Sequence, residues 1–105
     1  CFSAAQAVMA AKAGATYISP FVGRMNDNSF SGVELVRAIS GLYCAQGAQT
    51  KVLAASLRDV HHVSRCLMYG AHVVTLPPAV FDKMYNHVLT DSGMAIFEKD
   101  FQAIQ

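Results

Sequence analysis

The sequence has little charge and no long apolar segment. Of its 105 residues, 14% are charged, acidic and basic residues are interspersed, and the formal net charge is +1. Such a surface lacks the basic patch that attracts nucleic acid or an anionic membrane. No apolar run reaches the length that a transmembrane helix needs. We therefore expect neither a nucleic-acid partner nor a membrane partner.

Cysteine is also scarce. The three cysteines are odd in number and form no Cys-x-x-Cys pair, which argues against a disulfide framework. Reduced thiols fit a cytoplasmic protein, and we predict that they are buried and inert. They are Cys1, Cys44 and Cys66.

The histidines do not follow a metal-ligand spacing. Adjacent His61 and His62 diverge in direction on a helix, and no His-x-x-x-His or Cys/His pattern accompanies them. We predict that these two, with His72 and His87, are surface residues and that the chain binds no metal.

The dipeptide Gly-Ala occurs three times, each time after a helical pattern and before an apolar, β-branched run. A left-handed glycine commonly ends a helix, so these sites are predicted helix-to-strand joints. The runs that follow are nearly continuous in apolar residues, as strands buried on both faces are. We predict strands over residues 16–22, 51–56 and 72–76 of a single domain.

Helix starts are marked by short polar signals. Ser3 with Gln6, and Ser31 with Glu34, fit the pattern of a capping box. In a capping box the serine hydroxyl accepts a hydrogen bond from the backbone N–H three positions later, and the later side chain accepts one from the serine N–H. Further helices are predicted over 59–69, over 78–86 and from Thr90 onward.

The apolar residues of these helices predict which faces are buried. In the helix over 59–69, we expect Val60, Val63 and Leu67 to point inward. The last helix carries an apolar stripe, which we expect to pack against another protein surface. It consists of Met94, Phe97, Phe101 and Ile104.

Strands that alternate with helices predict the α/β class, built from right-handed parallel units. The architecture is either an open doubly wound sheet or a portion of a (β/α)8 barrel. Three parallel strands leave two unpaired edges, and the sequence begins within a helical pattern without a methionine. We therefore expect the chain to be the C-terminal portion of a larger protein.

Two of the predicted strands have a serine and then an arginine near their carboxyl ends. Ser19 lies in the first predicted strand and Arg24 follows it, and Ser56 ends the second predicted strand and Arg58 follows it. Parallel α/β proteins build their sites at this end of the sheet. A guanidinium offers a planar fork of donors to phosphate, and a hydroxyl adds a further donor beside it. The pattern predicts an oxyanion clamp for a phosphorylated small molecule.

Three strings resemble the transaldolase family, and the resemblance runs through essentially the whole chain. They are TYISPFVGR at 16–24, TKVLAASLR at 50–58 and VTLP at 74–77. TKVLAAS is the most specific of them, and the chain is most similar to the short subfamily of transaldolase-like proteins and fructose-6-phosphate aldolases. The strings look like strands six to eight of the family's TIM barrel. The resemblance implies that residues 1–105 are the C-terminal part of a single TIM-barrel domain, with its last helices.

The resemblance implies a class I enzyme of carbohydrate metabolism in the pentose phosphate pathway. In this chemistry a lysine forms a Schiff base with a ketose phosphate and passes a dihydroxyacetone unit to an aldose phosphate, without a metal or another cofactor. The implied partners are fructose 6-phosphate, sedoheptulose 7-phosphate, erythrose 4-phosphate and glyceraldehyde 3-phosphate.

The resemblance also implies roles for individual residues. Arg24, Ser56 and Arg58 match phosphate-binding positions, and Ser19 matches a residue that lines the pocket beside the Schiff base. Phe21 stands where the aldolase branch has a tyrosine, so it favours transfer over release of free dihydroxyacetone.

The family's Schiff-base lysine, catalytic aspartate and proton-relaying glutamate belong to earlier strands. We therefore expect no catalytic lysine in this chain, and no activity from the chain alone. None of its own lysines is predicted to act as the nucleophile. They are Lys12, Lys51, Lys83 and Lys99.

Alternatives stay open at this point. The protein could be a fructose-6-phosphate aldolase, or a non-catalytic half-barrel that binds phosphosugars or self-assembles. Arg24 and Arg58 could be solvated strand-end residues, Ser56 a turn hydroxyl and Phe21 ordinary core. A homo-oligomer is expected if the last helix contacts a neighbouring subunit, but its stripe would equally suit packing on its own barrel.

Overall fold

Helices and strands alternate along the chain in a computed structural model that describes residues 1–104. The strands are β1 (Tyr17–Ile18), β2 (Lys51–Ala54) and β3 (Val73–Val74). The helices are α1 (Ala4–Lys12), α2 (Val22–Asp27), α3 (Gly32–Gln46), α4 (Val60–Met68), α5 (Pro78–Lys83) and α6 (Val88–Ile104).

The strands form a parallel sheet in the order β1-β2-β3. Tyr17 pairs with Lys51 across β1 and β2, and Leu53 pairs with Val73 across β2 and β3. Each crossover contains a helix, as parallel pairing requires. The predicted α/β class with a parallel sheet is confirmed, and the complete barrel stays a prediction.

The predicted strand boundaries are wrong because all three strands are shorter than the apolar runs. β1 ends at Ile18, and after the buried Pro20 only Phe21 pairs again, with Ala55. Residues from Val22 onward form helix α2 instead of a strand. Proline has no N–H to donate to a ladder, so regular pairing cannot run through it.

The helix boundaries follow the local signals. The hydroxyls of Ser3 and Ser31 accept hydrogen bonds from the N–H groups of Gln6 and Glu34, at 3.1 and 3.3 Å. The glycines of the three joints all have left-handed φ angles. These are 88° at Gly14, 63° at Gly47 and 106° at Gly70.

The core lies between the sheet and helices α1, α3 and α4. Its largest fully buried side chains are Ile39, Leu57, Val22, Val36, Val52 and Val63. Tyr43 joins α3 to α1, because its hydroxyl donates to the Ala7 carbonyl at 2.6 Å. Burial raises the pKa of Tyr43, so the neutral phenol that makes this bond is favoured.

Two predictions about side-chain burial need correction. In α4 the inward residue after Val63 is Cys66, which is fully buried, whereas Leu67 is 47% exposed. A shift of one residue turns a helical side chain by about 100°, so only one of these neighbours can face the core. The cysteines are also not all buried, because Cys44 is exposed. Burial raises the pKa of the Cys66 thiol to about 11, which suppresses its reactive thiolate.

Helix α6 leaves its predicted apolar stripe uncovered. It begins at Val88, two positions before the predicted start, and none of its side chains in the described range is buried. The stripe residues are between 61% and 84% exposed. Packing of this stripe against a neighbouring subunit or against the protein's own barrel stays a prediction. Across residues 1–104, no helix combines the length and the apolar character that crossing a membrane would require.

Candidate functional site

The chain segments that follow β1 and β2 remain hydrogen-bonded beyond the regular strands. The Ala55 N–H donates to the Pro20 carbonyl at 3.0 Å, and the Val22 N–H donates to the Ala55 carbonyl at 2.9 Å. The Gly23 N–H donates to the Ser56 carbonyl at 2.8 Å. The first turn of α2 is therefore tied to the segment after β2, at the carboxyl edge of the sheet.

Gly23 is the point of closest approach between these two segments. A Cβ added to it would lie 2.4 Å from the Ser56 carbonyl oxygen. The same Cβ would lie 2.9 Å from both the Ser56 Oγ and the Arg58 Nε. Only glycine fits here without a shift of the backbone. The structure thus brings Ser56 and Arg58 near one point at Gly23, and their role in binding phosphate stays a prediction.

Ser56 has an unusual backbone conformation. Its φ angle is 58°, in the left-handed region that residues with a side chain rarely adopt. This conformation turns the chain at the end of β2, so that the Ser56 carbonyl meets α2 while the hydroxyl stays beside Arg58. Strained residues of this kind concentrate at functional sites, where the surrounding structure holds them in place.

We expect the strain and the hydroxyl of Ser56 to be separable by mutation. Ser56→Gly and Ser56→Ala both remove the hydroxyl, but only glycine relieves the left-handed strain, by about 1 kcal/mol. Urea denaturation of the full-length protein should therefore show a higher free energy of unfolding for the glycine variant. Both variants should lose the same affinity for inorganic phosphate. Unchanged affinity in both variants would show that the hydroxyl does not contact the anion.

Arg58 makes an ion pair that the sequence analysis missed. Its Nη1 donates to both carboxylate oxygens of Asp27, at 2.7 and 2.8 Å. Both side chains are about half exposed, at 55% and 54%. The two residues are 31 positions apart, so no local pattern signals the contact. Asp27 is the last residue of α2, and the pair is a second link between α2 and the segment after β2.

Arg24 occupies different surroundings from Arg58. It lies in α2 and not at the end of a strand, because the helix begins at Val22. Its guanidinium carbon is 5.7 Å from the centroid of the Phe21 ring, a distance typical of a cation–π contact.

A cavity of about 400 Å³ lies beside Arg24. It is lined by Phe2, Arg24, Met25, Asn28 and Phe30. Neither Ser56 nor Arg58 belongs to this lining within the described residues. Convergence of the two arginines on one phosphate stays a prediction.

Ser19 and Phe21 lie on the segment that joins β1 to α2. Both are partly buried, on either side of the buried Pro20. The Phe21 ring also meets the ring of Phe2 edge to face, with centroids 5.7 Å apart. Phe21 therefore packs between an aromatic ring and the Arg24 cation, a position that core packing alone does not require.

None of the lysines within the described residues lies at the carboxyl end of a strand. Lys51 begins β2, at the opposite end of the sheet from Ser56. Lys12 and Lys83 end helices α1 and α5, and Lys99 lies in α6. All of them are exposed. A Schiff-base lysine is normally desolvated or placed beside another cation, so none of these has suitable surroundings.

One histidine side chain, that of His72, takes part in hydrogen bonding within the sheet. The Nδ1 atom of His72 accepts a hydrogen bond from the Val52 N–H at 3.1 Å, at the start of the β2–β3 pairing. Residues 1–104 contain no group of three or more His, Cys, Asp or Glu side chains that could hold a metal ion.

These features define a parallel α/β segment whose candidate site lies at the carboxyl edge of its sheet. The site combines the Ser56 hydroxyl and the guanidinium of Arg58, and Arg24 lies on the adjoining helix. The backbone N–H groups of Val22 and Gly23 donate to the carbonyls of Ala55 and Ser56, so these two groups are not available to an anion. Sites of this composition at this edge commonly hold anionic ligands.

Comparison with known proteins identifies the family. The model of the family "Transaldolase/Fructose-6-phosphate aldolase" matches residues 1–105. This chain belongs to that family, which confirms the resemblance found in the sequence.

Curated relatives are similar over nearly the whole chain. A probable transaldolase of Caulobacter vibrioides is 54% identical over 101 residues, which are 96% of this chain and 46% of that protein. One of Paracoccus denitrificans has the same identity and coverage. One of Brachyspira hyodysenteriae is 46% identical over 103 residues, 98% of this chain and 48% of that protein. The chain spans about half the length of these relatives.

Proposed function

We propose that the full-length protein is a transaldolase that acts on phosphorylated sugars, and that this chain supplies the phosphate-binding side of its site. The observation that carries the proposal is the grouping of Ser56 and Arg58 around Gly23 at the carboxyl edge of a parallel sheet. Membership of the transaldolase family gives this anion site its substrate class. The substrates would be ketose and aldose phosphates such as fructose 6-phosphate and glyceraldehyde 3-phosphate.

The chemistry of the site suits a phosphate group. Arg58 keeps Nε and Nη2 free of the Asp27 contact, and these two donors form the planar fork that binds phosphate in a bidentate manner. The Ser56 hydroxyl lies beside Nε and can donate a third hydrogen bond. In this proposal Arg24 is the second cation, and Ser19 and Phe21 line the sugar-binding part of the pocket.

The reaction we propose is transfer of a dihydroxyacetone unit through a lysine Schiff base, without a metal. The lysines of residues 1–104 are exposed and none lies at the carboxyl end of a strand, which supports a nucleophile elsewhere in the protein. We therefore propose that strands β1 to β3 are the last three of a (β/α)8 barrel and that the lysine lies on an earlier strand.

Chemical trapping tests this function. The full-length protein is incubated with fructose 6-phosphate and sodium borohydride, which reduces an imine to a stable adduct. We expect one adduct, mapped by peptide mass spectrometry to a lysine outside residues 1–105. An adduct on a lysine of this chain would refute the assignment of the nucleophile. No adduct, with retained binding of the sugar phosphate, would favour a non-catalytic phosphosugar-binding half-barrel.

A fructose-6-phosphate aldolase is the second candidate, because the family includes both activities. Phe21 favours the transferase, since it has no hydroxyl with which to handle a proton when free dihydroxyacetone is released. The products of a parallel incubation without borohydride distinguish the two activities. A transaldolase needs an acceptor such as erythrose 4-phosphate and releases little free dihydroxyacetone, whereas an aldolase releases it without an acceptor.

We also propose a cytoplasmic homo-oligomer. The exposed stripe of α6 supports contact with a neighbouring subunit or with the rest of the barrel, because apolar side chains in such number are rarely left in water.

A further inference from the structure

The contact between Asp27 and Arg58 is more specific than an ordinary surface ion pair. One nitrogen, Nη1, lies between both carboxylate oxygens at 2.7 and 2.8 Å. For comparison, Arg37 and Glu34 on α3 approach only to 3.7 Å and use a single oxygen. Both pairs are more than half exposed. Exposed pairs contribute little to stability, so the close geometry at Asp27 calls for a reason other than holding the fold.

The position of the pair suggests that reason. The Asp27 carboxylate accepts hydrogen bonds from Nη1 of Arg58, while Nε and the Ser56 Oγ each lie 2.9 Å from the point where a Cβ on Gly23 would stand. Among the described residues Nε and Nη2 make no hydrogen bond, so they are the donors of Arg58 that remain for a ligand. Without the carboxylate, a long and half-exposed arginine would sample many rotamers and would lose that freedom when it binds an anion.

We propose that Asp27 is a positioning residue, which holds Arg58 so that its free edge and the Ser56 hydroxyl face the phosphate of the substrate together. This inference rests on the proposed phosphate-binding function of the site. Asp27 does not touch the substrate and acts only through Arg58. It also carries a negative charge near the site, and this charge opposes phosphate binding. Orientation outweighs the repulsion because the carboxylate and the phosphate occupy different edges of the guanidinium.

The test compares kcat/KM for a phosphorylated sugar and for its unphosphorylated analogue, with the full-length protein. In Asp27→Asn the ratio of the two values should fall about tenfold, the usual size of an effect transmitted by an orienting carboxylate. The loss should appear in KM and kcat in the same proportion as for Arg58→Ala, and the inhibition constant of inorganic phosphate should rise by about tenfold. Asp27→Glu keeps the carboxylate and should recover part of the loss. A merely structural role would not distinguish the two sugars.

Two further variants make the result specific. Glu34→Gln removes the same charge from a similarly exposed ion pair on α3, and should leave the ratio unchanged. In the double variant Asp27→Asn with Arg58→Ala, the loss should equal that of Arg58→Ala alone, because Asp27 has no arginine left to orient.

The other outcomes overturn the inference. An unchanged ratio in Asp27→Asn would show that the ion pair is incidental, and a raised ratio would show that Asp27 competes with the phosphate. If Arg58→Ala lowers the ratio and Asp27→Asn does not, only the role of Asp27 fails. If Arg58→Ala itself leaves the ratio unchanged, the phosphate-binding function of the site fails as well.

Discussion

Arg58→Ala is expected to weaken binding of fructose 6-phosphate by about 2–3 kcal/mol, since charge-assisted hydrogen bonds to phosphate are lost. This corresponds to roughly a 30- to 150-fold loss. The phosphate is remote from the reacting carbons, so its binding energy also positions the sugar. The loss should therefore reach kcat as well as KM. Steady-state kinetics of the full-length protein with fructose 6-phosphate and with fructose measures both parameters.

Arg24→Ala should produce a loss of the same size if both arginines bind one phosphate. Arg24 differs in its surroundings, because it lies over the Phe21 ring and beside the cavity between Phe2 and Phe30. A much smaller loss for Arg24→Ala than for Arg58→Ala would leave Ser56 and Arg58 as the phosphate site and would remove Arg24 from it.

Arg37→Ala provides the matched control for these two substitutions. Arg37 is an exposed arginine on α3 with a carboxylate neighbour and an aromatic contact, to Tyr69 at 5.6 Å. It lies outside the proposed site, so its removal should leave kcat/KM for both sugars unchanged. Equal losses on fructose 6-phosphate and fructose in Arg24→Ala or Arg58→Ala would show that these arginines hold the fold and not the phosphate.

The second large effect is expected at two glycines. An alanine Cβ at Gly23 would lie 2.4 Å from the Ser56 carbonyl oxygen, and one at Gly32 would lie 2.4 Å from the Val22 carbonyl oxygen. Both contacts are with backbone atoms, which cannot rotate away. We expect each alanine variant to lower the free energy of unfolding by about 3 kcal/mol, the upper part of the range for overpacking. Urea denaturation of the full-length protein measures this change.

Gly41→Ala is the control, because Gly41 lies in the interior of α3 and a Cβ there would meet nothing within 4 Å. This variant should gain about 0.5–1 kcal/mol from the higher helix propensity of alanine. Gly23→Ala should also weaken phosphate binding, since Ser56 must move, whereas Gly32→Ala should not. If Gly23→Ala were as stable as Gly41→Ala, the close approach of α2 to Ser56 would be refuted.

Several elements of the fold were predictable because their signals are local. A serine cap bonds an N–H three residues away, as Ser3 does with Gln6 and Ser31 with Glu34. The left-handed glycine at the end of α3 is likewise a property of one residue, Gly47. Continuous apolar runs between such helices predicted a parallel sheet, and the sheet is parallel. The predicted burial of the strands on both faces is wrong, because Tyr17 in β1 is 50% exposed and Val73 in β3 is 38% exposed.

Predictions failed where a residue's environment depends on distant parts of the chain. The apolar residues up to Val22 predict a strand. In the structure helix α2 begins at Val22, where the N–H groups of Val22 and Gly23 donate to carbonyls of the segment after β2. In α4, Leu67 and Cys66 are both apolar enough for the core, and only the packed neighbours decide that Cys66 is inside.

For the candidate site, the sequence by itself determined that Ser56 and Arg58 follow the carboxyl end of β2, whereas the structure places Arg24 in α2 and not at a strand end. Strand direction and side-chain chemistry are enough for that, because the carboxyl ends of parallel strands share one edge of the sheet. Only the tertiary structure decided that Asp27 holds Arg58. That contact joins residues 31 positions apart, and its geometry depends on how α2 packs against the end of β2.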